Sequence, residues 1–85
     1  MADEVSYYAI VSAGRTVQAP SGLARRRYEA TGPVDEALRR DLTWAPDSAI
    51  VEWEYGEVGA DLVEISQETA DRLIAGFRVL WGERD

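Results

Sequence analysis

Residues 62–82 read LVEISQETADRLIAGFRVLWG, a short apolar run followed at once by a long amphipathic one. Leu62-Val63-Glu64-Ile65 has the length and composition of a short strand. Ser66 then offers an N-cap hydroxyl, and Glu68 sits in the first turn, at the positive end of the helix dipole. Ala70, Leu73, Ile74, Phe77, Leu80 and Trp81 follow at i, i+3, i+4, i+7, i+10 and i+11, one apolar stripe down a helix that Gly82 stops. Such a stripe needs a sheet to cover, and the strands for it must come from upstream.

Val5-Ser6-Tyr7-Tyr8-Ala9-Ile10-Val11 is β-branched and aromatic with no breaker, which predicts a strand buried on both faces. Residues 12–22 contain two glycines and a proline and read as a loop or long hairpin connection. Leu23 to Ala30 resumes a strand, with Leu23, Arg25 and Arg27 on one face and Ala24, Arg26 and Tyr28 on the other. One arginine must then point toward a partly covered side unless the strand lies at the sheet edge.

Pro33 to Leu42 predicts a helix. Proline suits the first turn, Asp35 and Glu36 lie at its positive end, Arg39 and Arg40 close it, and the Asp35–Arg39 and Glu36–Arg40 spacings are i,i+4. Trp44-Ala45-Pro46 ends that pattern. Residues 48–55 carry two signals: Asp47 or Ser48 as cap and Gly56 as stop predict a short helix, whereas Val51-Glu52-Trp53-Glu54-Tyr55 alternates as a strand does. The bracketing signals favour the helix. The fold class expected is α+β, a single domain over 1–85 with a small sheet of about three strands against the C-terminal helix and one or two short helices between.

Composition removes much chemistry. The 85 residues contain no cysteine, histidine, lysine or asparagine. Disulfides, thiol catalysis, a side chain that titrates unaided near neutrality and a Schiff-base or P-loop lysine are therefore all excluded. The N-terminus is acidic where a signal peptide is basic, and no apolar run approaches a membrane span, so a soluble, cytoplasmic protein without membrane partners is expected. The net charge of −7 is uneven: residues 1–40 hold six arginines against five acids, residues 41–85 three against eleven. The acidic half should repel nucleic acid and either attract a basic partner or keep the chain dissolved.

Arg25-Arg26-Arg27-Tyr28 is the sharpest local feature, since guanidiniums beside an aromatic ring suit phosphate and base. Its structural counterpart is a charge-blunted edge strand, or pairing with acids elsewhere in the chain. Glu52, Glu54, Glu57, Asp61 and Glu64 form an acidic run without EF-hand spacing, read as a solvated face, so no metal and no cofactor are expected. Leu42 to Ser48 running into Glu52 and Gly56 is similar to the turn and recognition helix of helix-turn-helix proteins, but Glu52 and Glu54 would press carboxylates toward phosphate. Trp44, Trp53 and Trp81 are many indoles for so short a chain, suited to core packing or to anchoring a partner.

Gly22-Leu23 before the arginines, Trp44-x-Pro46, Gly56 and Val63-Glu64-Ile65-Ser66 before the terminal helix resemble small actinobacterial proteins with no assigned function. The resemblance implies a bacterial cytoplasmic setting and carries no activity or catalytic residue. The expectation is a non-enzymatic, protein-binding accessory module, able to pair as a homodimer, with Trp44, Trp53, Glu52, Glu54 and Glu57 facing the partner. The competing expectation is an anion or nucleic-acid binder using Arg25, Arg26, Arg27 and Tyr28.

Overall fold

The computed structural model describes residues 4–56 and 60–82. Seven elements follow in chain order: β1 (Glu4–Val11), β2 (Gly22–Glu29), β3 (Gly32–Leu38), β4 (Trp44–Pro46), α1 (Ala49–Glu54), β5 (Asp61–Ile65) and α2 (Gln67–Gly82). The strands make one antiparallel sheet in the order β4-β3-β2-β1-β5. The class is α+β, as expected, but the sheet has five strands rather than about three. No described helix is long and apolar enough to cross a membrane.

The two helices lie on opposite faces. Ala9 and Leu23 are neighbours in the β1–β2 ladder, and both are buried with Phe77 of α2, which Leu38, Ile65, Leu73 and Trp81 surround. On the other face Ala24, Leu62 and Ile50 of α1 are buried together, with Tyr8, Ile10 and Trp53 packed around them. The alternation in β1 thus feeds both layers, as a strand covered on each side requires. Ser66 caps α2 through its Oγ, which accepts from the Thr69 amide at 3.1 Å. The stripe on α2 faces the sheet through Ala70, Leu73, Ile74, Phe77 and Trp81, whereas Leu80 is 56% exposed.

The helix expected over Pro33 to Leu42 is instead strand β3 and the turn after it. Glu29 pairs with Gly32 across a two-residue connection, and Gly32 takes φ 128°, a conformation other residues rarely adopt. Asp35 and Glu36 lie directly opposite Arg26 and Arg25, so the carboxylates assigned by spacing to Arg39 and Arg40 pair across the sheet. Pro33 lies beyond the stretch of β3 that β4 pairs, where its missing N–H costs no ladder bond on that side. The β3–β4 turn closes with Arg39 donating to the Thr43 carbonyl and Leu42 at φ 67°, its side chain packed on the core.

Residues 49–54 are helical, and the helix-turn-helix likeness dissolves because Trp44–Pro46 is the edge strand β4. Asp47 rather than Ser48 satisfies the first amide of α1, accepting from Ala49 N at 2.7 Å. Gly56, at φ 77°, ends the helix and donates to the Trp53 carbonyl. Among the described residues, α1 is the one short middle helix.

Phe77 joins α2 to the sheet, stacked on Trp81 with centroids 4.4 Å apart. Phe77→Ala is expected to cost about 3 to 5 kcal/mol, a large part of the stability of a domain this small. The thermal midpoint should fall by more than about 12 °C; a cooperative melt within a few degrees of the parent would show that α2 does not carry the core.

Candidate functional site

The arginine triplet runs through the middle of the sheet, because β2 has ladder neighbours on both sides and is not the charge-blunted edge strand that was one reading of the triplet. Alternation sends Arg25 and Arg27 to the α2 face and Arg26 to the α1 face. Arg26 is held twice: Nε and Nη2 donate to the Asp35 carboxylate at 2.7 and 3.0 Å, and Nη1 and Nη2 donate to Glu54 of α1, both at 3.1 Å. These bonds, Asp35 first, raise the Arg26 pKa and fix the charge. Glu36 is shared, accepting from Arg25 Nε at 2.8 Å and from Arg27 Nε at 3.0 Å, while Arg27 also pairs with Glu29. The Arg25 guanidinium lies 4.3 Å from the Trp44 ring centroid, and the Tyr7 and Trp44 ring centroids are 6.1 Å apart.

Three cations therefore face four carboxylates, Glu29, Asp35, Glu36 and Glu54. All three Arg26 nitrogens, the Nε of Arg25 and the Nε and Nη1 of Arg27 already serve acids of the same chain, and the cluster is net negative. Tyr28 shares the α1 face with Arg26, apart from Arg25 and Arg27.

The residues expected to meet a partner do not form one surface. Trp44 lies on the α2 face and Trp53 on the α1 face, against Tyr8 with centroids 6.5 Å apart. Glu54 is engaged by Arg26, Glu52 accepts from the Ser48 hydroxyl, and Glu57 is outside the described residues. Within the acidic run Asp61 and Glu64 fall on opposite faces of β5, and among the described residues no three acids gather as a metal site would need.

What does gather on the α1 side is aromatic. Tyr55, directly after α1, is 76% exposed, Tyr28 is 42% exposed and Val51 is 39% exposed, and Trp53 and Tyr8 are half-buried against each other. Burial, then the neighbouring Tyr28, pushes the Tyr8 hydroxyl pKa up. Sequence reading missed Tyr55 and Val51 because a stripe on a helix of six residues is too short to assign a face.

A second feature lies on the other face. The β1–β2 connection folds back toward α2 and encloses with it a cleft of about 710 Å³, floored by Val17, Pro20, Ile65, Leu73 and Phe77. Arg15 stands on one wall and Arg72 on the other. The connection holds its own shape: Ser21 donates its amide and hydroxyl to the Ile10 carbonyl, Arg15 N donates to Ser12, and Ala19 N to Thr16. The faint signal for this cleft was Gly76, a glycine inside an otherwise unbroken amphipathic helix.

The Arg27 bond, ahead of that from Arg25, holds the Glu36 carboxyl below its ordinary range. The folded value is thus lower than the unfolded one, so the contribution is complete above the usual glutamate pKa and disappears as pH falls through the folded value. Glu36→Gln should cost about 1 to 3 kcal/mol at neutral pH. Urea midpoints should differ clearly at pH 7, and the difference should narrow as pH falls below the usual glutamate range; a difference unchanged by acid would show that the ion pairs are not the cause.

No protein-family model, no curated protein and no solved structure matches the chain.

Proposed function

We propose that the domain is a small non-enzymatic protein-binding module, cytoplasmic in setting, whose docking surface is the α1 side. The carrying observation is Tyr55, three-quarters exposed beside Val51 and on the same side of the sheet as Tyr28 and Trp53. Tyrosine and tryptophan offer large rigid contact area at low conformational cost, and they dominate the energetics of many protein interfaces. Glu52 on the same helix is exposed and makes no ion pair among the described residues, so a partner presenting apolar side chains and a basic one fits this side. The alternative, an anion or nucleic-acid site at Arg25–Arg27, is disfavoured by the carboxylates that occupy those guanidiniums.

A second copy of the chain is the other reading of the partner. Among the described residues strand β5 has β1 on one side and no ladder neighbour on the other, and its Val63 is partly exposed. An antiparallel β5–β5 pairing about a two-fold axis would extend the sheet and cover that edge.

A photo-crosslinking residue at position 55 in the native host is expected to trap one discrete protein, and the same residue at position 75, on exposed α2 surface, to trap none. Sedimentation at tens of micromolar separates the two partners. A mass rising above 9.4 kDa that Val63→Lys abolishes supports edge pairing, and one that Tyr55→Ser with Val51→Ser abolishes supports self-docking through α1. A monomer at every concentration with no adduct at position 55 overturns the proposal. Duplex DNA should give no gel shift at physiological salt, and submicromolar binding there would restore the arginine reading.

A further inference from the structure

The cleft between the β1–β2 connection and α2 has features that the α1 surface does not explain. Its volume, about 710 Å³, lies within the range of small-molecule sites. Its floor is apolar, built on Phe77 and Leu73 of α2, Ile65 of β5 and Val17 and Pro20 of the connection.

The charge of its walls runs against the rest of the molecule. In a chain of net charge −7, the cleft carries guanidiniums on both walls, Arg15 and Arg72. Among the described residues neither makes an ion pair, as is also so for Arg39, Arg40 and Arg78, whereas each of Arg25, Arg26 and Arg27 does. Arg72 has a long contact of 3.4 Å to the Thr69 hydroxyl. One acid, Glu64, borders the cleft, but it is opposite Tyr8 in the ladder, and its side chain therefore belongs to the α1 face.

Gly76 is the second, independent observation. A glycine inside a helix is unfavourable by roughly 1 kcal/mol relative to alanine, so it is usually retained for close packing or for space. Close packing is not the reason, because a Cβ built at Gly76 meets nothing within 4 Å. The missing side chain keeps the cleft wall open. The hydrogen bonds within the connection keep the opposite wall in place, so an occupant would find the cleft already shaped.

We propose that this cleft binds a small amphipathic carboxylate, with its hydrocarbon part against Phe77 and Leu73 and its carboxylate held by Arg15 and Arg72. A neutral ligand would gain nothing from the two exposed guanidiniums, and a compact hydrophilic anion would leave the apolar floor unused. A guanidinium–carboxylate contact beside apolar surface is stronger than the same contact in open water.

Octanoate is the probe, with 1-octanol as its uncharged match, added to the whole chain and followed by amide chemical shifts and calorimetry. Octanoate should bind saturably, one per chain, shifting amides at Val17, Ile65, Leu73 and Gly76. Octanol should bind at least about tenfold more weakly. Arg15→Gln with Arg72→Gln should weaken octanoate about tenfold and leave octanol unchanged. Gly76→Leu should exclude both while melting no lower than the parent, so that lost binding is not lost folding. Equal affinity for acid and alcohol, an unchanged double variant, shifts centred elsewhere or no saturation would each overturn the proposal.

Discussion

Strand β2 puts three guanidiniums in consecutive positions through the centre of a five-stranded sheet, and much else in the fold answers that constraint. A guanidinium partly withdrawn from water gains from a partner of opposite sign. Since consecutive residues alternate faces, partners are needed on both. The hairpin to β3 supplies most of them through register, because Arg26 and Arg25 come directly opposite Asp35 and Glu36. Arg27 stands opposite Val34 and reaches diagonally to Glu36 and along its own strand to Glu29. Arg26 draws in Glu54, which ties α1 to the sheet by charge as well as by the burial of Ile50. A slip of β3 by one residue would send Asp35 and Glu36 to the wrong faces.

The same residues explain which parts of the fold were legible beforehand. The α2 stripe repeats over several turns and the run in β1 has no competing pattern, so periodicity alone identifies both. Asp35 and Glu36 satisfied two codes at once, standing four residues before Arg39 and Arg40 as well as opposite Arg26 and Arg25. A local pairing worth a few tenths of a kcal/mol on a helix surface lost to partly buried pairs that only the sheet creates. Strand β4, with three residues, is too short to show alternation, and its place follows from the turn at Leu42. The tryptophans were legible as important but not as members of opposite layers. The cleft was hardly legible, since it joins residues 15–20 to residues 64–80.

The α1 surface and the cleft lie on opposite faces of the sheet and share no residue that either uses. What joins them is β1, which presents Ala9 beneath Phe77 and Tyr8 beneath Trp53. Tyr8 and Ala9 are consecutive residues of one strand, so the two layers meet across a single peptide unit. The edge strand β5 is closer still to both, with Leu62 in one layer and Ile65 in the other.

The order of the strands also has a consequence for synthesis. β1 through β4 form a meander in which each strand pairs with the one before it, so residues 4–46 can zip together from nearby contacts as they leave the ribosome. The far edge of β1 waits for β5, whose partners in the ladder are fifty or more positions earlier, as Ile10 opposite Leu62 shows. Until those last residues arrive, Ala9 and Leu23 have no Phe77 above them, and a row of unpaired amides lies open beside Tyr7 to Val11. The nascent chain thus passes through a stage in which its most adhesive strand is exposed, and the speed with which residues 61–82 close over it sets how long other chains have to intervene.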